Sequence, residues 1–219
     1  MSQYTIKRAA GTVSLTGDVA GMAWAAADVL EIDDFPWYKG GAKQGTEVRL
    51  MYDDKNIYVQ FLCADRHIYS EETRHNGNVY KDSCVEFFAT IDPEAGPDYF
   101  NLEINCCGVM HVGYGPERNG RILMVEELAR RMTLVTSVPG PTRQESPSDN
   151  GWWVAAKIPF DVIGEFAGKK VAPKSGALWK ANFYRCGGKT DGQFGCWNHI
   201  AWPKPDFHRP EFFGELKFA

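Results

Sequence analysis

The chain has 219 residues, of which 44% are hydrophobic and 24% charged, and a formal net charge of −4. This composition excludes a wholly disordered chain, the absence of a clustered basic face excludes nucleic acid as a partner, and no run of about 18 apolar residues occurs, which excludes a membrane span. With 22 Gly, 12 Pro and 13% aromatics, the composition favours a β-rich domain with many turns.

The first residues, Met1 to Arg8, carry charge but no apolar run behind it. They do not read as a secretory signal, so the expected location is cytoplasmic, or extracellular if a signal has been removed. Trp24, Phe35 and Trp37 lie in the first 45 residues, which are expected to pack on sheet edges and ends. Residues 46–64 read as a hairpin: Val48, Leu50 and Tyr52 alternate with polar neighbours, Asp53-Asp54-Lys55-Asn56 supplies the turn, and Ile57, Val59, Phe61 and Cys63 resume the period. A second strand pair is predicted over 84–91 and 98–106, joined by Asp92 to Pro97, and Gly108 separates it from a strand over 109–114. Further strands are predicted over 132–138, 152–159, 178–186 and 213–218. A short helix is expected between Met124 and Met132, and one turn at Phe160 to Gly164. The Pro-, Ser- and Gly-rich stretch from 139 to 151 joins two strands and is a loop, not a domain linker. About eight or nine short strands with Gly- and Pro-rich connections predict one all-β domain over 1–219. The expected fold is an immunoglobulin-like or jelly-roll-type β-sandwich of antiparallel strands.

The six cysteines, Cys63, Cys84, Cys106, Cys107, Cys186 and Cys196, contain no C-x-x-C pair. A zinc knuckle or dithiol redox site is therefore not expected, and the thiols read as reduced and half-buried.

Strand parity marks one candidate surface. In Cys84-Val85-Glu86-Phe87-Phe88, Val85 and Phe87 point one way and Glu86 the other. In the next strand Phe100, Leu102 and Ile104 share a face, and Asn101, Glu103 and Asn105 share the opposite one. Pairing of the two strands would gather Glu86, Asn101, Glu103 and Asn105, a set of amides and carboxylates suited to vicinal hydroxyls. Tyr80 precedes this strand, and Trp197 and Trp202 flank Asn198 to Ala201 near the C-terminus. Aromatic rings beside such a face would pack on the C–H faces of a sugar. Trp153 and Trp179 sit in strand-like runs and read as core.

Taken in order, these segments resemble carbohydrate-binding modules of family 9, in their stand-alone form related to DOMON domains. The resemblance covers nearly the whole chain. It runs from Trp24 through Val48 to Val59, Asp65, Val79 to Phe88, and Tyr99 to Asn105 with Gly108. It continues through Trp153, Ile158-Pro159-Phe160, Trp179 to Arg185, Trp197, and Phe207 to Gly214. It implies a non-catalytic β-sandwich that binds a mono- or oligosaccharide. In the family a saccharide end of glucans or xylans is held between two aromatic rings, with structural calcium, and the modules are usually appended to xylanases. Carried onto this chain, the resemblance makes Tyr80 and Trp197 the two rings. Glu86, Glu103, Asn105 and Arg185 become the hydrogen-bonding residues.

Two other readings stay open. A glycoside hydrolase could use Glu86, Glu103 and Asp82 as paired carboxylates, which requires about 5 Å between carboxyls for retention or about 6.5–9.5 Å for inversion. A haem-binding β-sandwich could use Met110-His111 with His199 or His208. For calcium, Asp33-Asp34, Asp53-Asp54 and Asp65 are the available donors, although each also suits an ordinary turn.

Overall fold

In the computed structural model, residues 2–219 are described. The N-terminal strand β1 (Gln3–Arg8) is followed by a short β2 (Leu30–Ile32). The predicted hairpin is β3 (Thr46–Tyr52) and β4 (Asn56–Ala64). Its turn is built by Asp53, which accepts from the backbone N–H of Lys55 (2.8 Å) and Asn56 (2.7 Å) and from the Tyr58 hydroxyl (2.6 Å). Next come β5 (Cys84–Thr90), β6 (Tyr99–Asn105), β7 (Met110–Gly115) and the two-residue β8 (Ile122–Leu123). A single turn, α1 (Glu126–Ala129), precedes β9 (Thr133–Thr136) and β10 (Gly151–Pro159). Helix α2 (Phe160–Ala167) starts after Pro159, carries Asp161 in its first turn, and stops at Gly168 in the left-handed region (φ 64°), so it runs a turn longer than predicted. The chain ends with β11 (Leu178–Cys186), β12 (Phe194–Cys196) and β13 (Gly214–Phe218).

The strands curl into two packed layers, a β-sandwich. One layer runs β8-β7-β6-β5-β11-β13-β1, with β12 added to β11. The other runs β1-β3-β4-β10-β9, with β2 added to β3. The first four residues of β1 pair with β13 and its last two, Lys7 and Arg8, pair with β3, so one strand belongs to both layers. Both of those pairings are parallel, against the expected wholly antiparallel arrangement; the other ladders are antiparallel.

The inward residues are those the alternation assigns. Val48, Leu50, Val59 and Phe61 face Val85, Phe87, Leu102 and Phe183 in one core. Phe87 stacks on Phe183 at 4.7 Å, and Phe61 meets Phe183 at 6.2 Å. Trp179 is 2% exposed and belongs to this core. Residues before β2 cover the outer face of the second layer, where fully buried Trp24 packs with Val13, Met51, Tyr58 and Ala155, and half-buried Trp153 lies against them. The outer face of the first layer carries its own apolar cluster of Phe88, Tyr99, Tyr184, Phe207 and Phe213. All six cysteines are free, five of them buried and Cys107 half-buried. Among the described residues no helix is long and apolar enough to cross a membrane.

Candidate functional site

The register of the first layer sets one polar row on its outer face. Glu86 of β5 lies directly opposite Glu103 of β6, and Glu103 lies opposite His111 of β7. On the other side of β5, Tyr184 of β11 lies opposite Glu86. Directly opposed residues share a face of an antiparallel sheet, so Tyr184, Glu86, Glu103 and His111 cross the sheet in line. The flanking rows are Cys186, Cys84 and Asn105 on one side and Asn182, Phe88, Asn101 and Gly113 on the other.

Two chain segments wall this row. The first precedes β5. Asp82 is fully buried and accepts from the backbone N–H groups of Glu71 and Glu72 (both 3.1 Å) and from Asn105 Nδ2 (2.8 Å). Asn76, in the left-handed region at φ 60°, donates to the Met124 carbonyl (2.9 Å) and accepts from the Val112 N–H (2.9 Å). These bonds fix the turn at Val79–Lys81, which leaves Tyr80 45% exposed at the cavity. The second wall is the segment around 205–208. The Phe207 ring stacks on Tyr184 at 4.1 Å, and the Tyr184 hydroxyl donates to the Phe207 carbonyl (3.0 Å). The Tyr99 hydroxyl donates to His208 Nδ1 (2.8 Å), and Arg118 donates to Asp206 Oδ1 (2.7 Å). Gly113 is needed beneath: a Cβ there would come 2.7 Å from Asn101 Oδ1, which accepts from Arg121 Nε at 2.8 Å.

The result is a cavity of about 260 Å³, floored by Glu86, Glu103, His111 and Cys186 and walled by Tyr80, Phe194, Arg118 and Pro205 to His208. Its volume lies just below the usual range of about 300–1,000 Å³ for drug-sized ligands, which suits one small ring.

Burial first, and then the charge of Glu103, pushes the Glu86 carboxyl well above the usual carboxylate range. Burial likewise raises Glu103. Burial, with Arg118 and Arg121 nearby, lowers His208 to about 3, so its ring is neutral. Burial raises Tyr99 to about 12, which keeps its hydroxyl a donor to that ring.

Of the six residues predicted for the site, Tyr80, Glu86 and Glu103 line the cavity. Asn105 shares their face but is committed to the wall: Nδ2 donates to Asp82 and to the Glu72 carbonyl (3.1 Å), and Oδ1 accepts from the Val109 N–H (2.8 Å). Arg185 falls between Tyr184 and Cys186, so parity turns it to the interior. There it pairs with Asp65 at 2.5 Å, both side chains 1% exposed. Trp197 also lies on the interior side, edge-on to Phe183 at 5.9 Å and packed against the main core. Its ring occupies the space over Gly214, where a Cβ would approach it to 2.7 Å. Trp202 is not in the lining either; the Arg209 guanidinium sits 3.6 Å over its ring. Cys186, Phe194, Arg118 and Pro205 to Phe207 were not foreseen, and His111 and His208 were named only as candidate haem ligands. Parity along β7 and β11 marks His111 and Cys186, whereas Phe194 and the loop residues carry no such signal.

The other sequence readings place differently. Asp82 is held in the wall, so it does not join Glu86 and Glu103 as a third acid. His111 Nδ1 faces the Asn76 carbonyl (3.1 Å), His199 pairs with Asp34 (2.6 Å), and Met110 packs on the core side, away from His111. His111 and His208 line the same cavity, each with its Nδ1 engaged, by the Asn76 carbonyl and by the Tyr99 hydroxyl. The candidate calcium donors are dispersed: Asp53 closes its turn, Asp65 holds Arg185, and Asp34 holds His199. Among the described residues no three His, Cys, Asp or Glu side chains converge on one point.

A model of the family described as carbohydrate-binding family 9 matches residues 18–218. No curated protein matches the sequence. The crystal structure of a candidate carbohydrate-binding protein from Bacteroides uniformis is similar over 99% of each chain, with a TM-score of 0.87 and 24% identity. A carbohydrate-binding module of family 9 from Caldicellulosiruptor kristjanssonii, solved with glucose, covers 100% of this chain and 96% of its own, with a TM-score of 0.66 and 14% identity. The same module with cellotriose gives a TM-score of 0.65 at 14% identity, over 99% of this chain and 93% of its own.

Proposed function

We infer that this chain, which belongs to carbohydrate-binding family 9, a family of non-catalytic modules, binds a saccharide non-covalently in the cavity on the outer face of its first layer. One observation carries the placement. Glu86 and Glu103, 2% and 6% exposed, open onto a cavity that also presents the exposed ring of Tyr80. A sugar ring offers apolar C–H faces and a rim of hydroxyls. An aromatic wall over fixed carboxylates complements both. Tyr80 and Phe194 are the two rings available to the ligand, in place of the expected Tyr80 and Trp197. Glu86, Glu103, His111 and Arg118 are the groups available to its hydroxyls. The cavity volume of about 260 Å³ suits one residue, either a monosaccharide or the end of a chain. The relatives solved with glucose and with cellotriose support a saccharide of this kind.

Calorimetric titration with neutral and amino mono- and disaccharides, and with cellotriose, tests this reading. Tyr80→Ala should weaken binding about tenfold, the value of one lost aromatic contact of about 1.4 kcal/mol, while leaving the melting temperature unchanged. Unaltered affinity in Tyr80→Ala, or no binding of any saccharide at millimolar concentration, would count against the site or the function respectively.

A further inference from the structure

The two acids on the cavity floor are incompletely partnered. Glu86 Oε1 accepts only the Cys186 thiol (3.2 Å), and Glu103 Oε1 accepts Asn101 Nδ2 (2.9 Å). The second oxygen of each has no protein donor among the described residues, and both side chains line the cavity. Neither forms an ion pair, although both are more than nine-tenths buried.

The surrounding groups do not supply the missing cation. From β11, Tyr184 and Cys186 face the pair, and from β5, Cys84. From β7 comes His111, whose Nδ1 is directed at the Asn76 carbonyl. From the loops come Tyr80, Arg118, Asp206 and His208. Arg118 is bound to Asp206 (2.7 Å), and Arg121 spends its donors on Asn101 and on the carbonyls of Tyr99 (2.7 Å) and Glu117 (2.8 Å). His208 is neutral and accepts from Tyr99. With Arg118 bound to Asp206, neither glutamate has a cationic side chain paired to it, and the longer-range attraction of Arg118 and Arg121 does not offset the cost of burial.

We propose that the preferred ligand is a saccharide with a free primary amine, an amino sugar whose ammonium sits on Glu86 and Glu103. This rests on the carbohydrate-binding reading and names the class of sugar. An ammonium has three donors and no acceptor. The row beneath the cavity offers the two open carboxyl oxygens as acceptors, one from each glutamate. A hydroxyl can satisfy only one of these acceptors with its single proton, and it brings no charge. A hard metal ion would need about six to eight oxygens, which this pair does not provide. The raised titration of the two acids agrees, since the empty site is left to hold a proton where an ammonium would otherwise lie.

The test is calorimetric titration of the wild-type chain at pH 6 with glucosamine, glucose and N-acetylglucosamine, in two buffers of different ionisation enthalpy. Glucosamine should bind at least about tenfold tighter than glucose, as a charge-assisted hydrogen bond in a buried site allows. Acetylation of the amine should abolish that advantage, and binding of the amine should release protons to the buffer. The ratio of the two affinities should fall toward one in Glu103→Gln, with Glu86→Gln as the second variant if the first is unstable. Equal or tighter binding of glucose by the wild type would overturn the amino-sugar proposal and leave carbohydrate binding standing. A glucosamine preference that survives both variants would overturn the assignment of the amine to this pair. Failure of all three sugars and of cellotriose to bind would overturn the carbohydrate reading, and the proposal with it.

Discussion

Buried acids lie on both faces of the β5–β11 ladder, and the protein treats them in opposite ways. On the interior side, Asp65 meets Arg185 at 2.5 Å and also accepts from Ser83 Oγ (2.7 Å), Trp152 Nε1 (3.0 Å) and the His67 N–H (2.9 Å). On the outer side, Glu86 and Glu103 oppose each other with no cationic side chain paired to either and one oxygen of each without a protein donor among the described residues. Burial would raise all three acids. Asp65 is nevertheless held below the ordinary carboxylate range, by Arg185 first and then by its hydrogen bonds, while the two glutamates are pushed above it. A buried charge whose valence is filled by the protein is part of the scaffold. A buried charge left open beside a cavity is prepared for something that arrives from outside.

The largest expected effect breaks the scaffold side. Arg185→Met should leave Asp65 buried without its cation, which costs about 3–5 kcal/mol when one member of a buried pair is removed. Chemical denaturation should show the loss, and Asp65→Asn combined with Arg185→Met should recover part of it. A stability loss under 1 kcal/mol in the single variant would mean that water reaches Asp65 and that the interior side is less closed than its burial indicates.

Trp197→Ala comes next and reverses the sequence-based expectation. With the ring on Phe183 rather than in the cavity, the substitution should cost up to about 3 kcal/mol, the low end for removing a large aromatic from a core, because Trp197 is only partly buried. Affinity per folded molecule should be unchanged. A folded Trp197→Ala variant that loses saccharide binding would return this residue to the site.

The contrast also explains what was legible in the sequence. Period-two alternation reaches across a strand pair, so it gave the hairpin at 46–64, the facing strands around 84–91 and 98–106, and the shared face of Glu86 and Glu103. It failed for β2, β8 and β12, which are only two or three residues long, and for β1, which alternates with Tyr4 and Ile6 inward but forms parallel ladders that no local turn announces. Parity along 178–186, applied from Glu86 outward, would have turned Arg185 inward. The family resemblance drew it to the site instead. Trp197 follows the end of β12 and has no parity to read, so only its neighbours, Phe183 and Gly214, decide where the ring goes. Asn105 shows a further limit: it lies on the predicted face, but loop residues far away in sequence use up its donors and acceptor.

The smallest expected effect separates the two faces by pH. Asp65 has a depressed value in the folded chain, so its contribution is present above the ordinary aspartate value of 3.8 and is lost as pH falls through the lower folded value. Glu86 and Glu103 have raised values, so the folded chain holds a proton that the unfolded chain gives up near 4.5. Their contribution is full below that pH and declines as pH rises toward the folded values. The melting temperature of the ligand-free protein should therefore fall at both ends, for different reasons. Glu86→Gln with Glu103→Gln should flatten the decline above pH 4.5 and leave the acid limb in place. The double variant should therefore be more stable than the wild type at pH 7. A saturating cationic ligand should produce the same flattening in the wild type, because it fills by binding the valence that the double variant removes by substitution. If the double variant kept the wild-type slope above pH 4.5, the pair would already be satisfied in the empty protein, and the distinction between the two faces would fall.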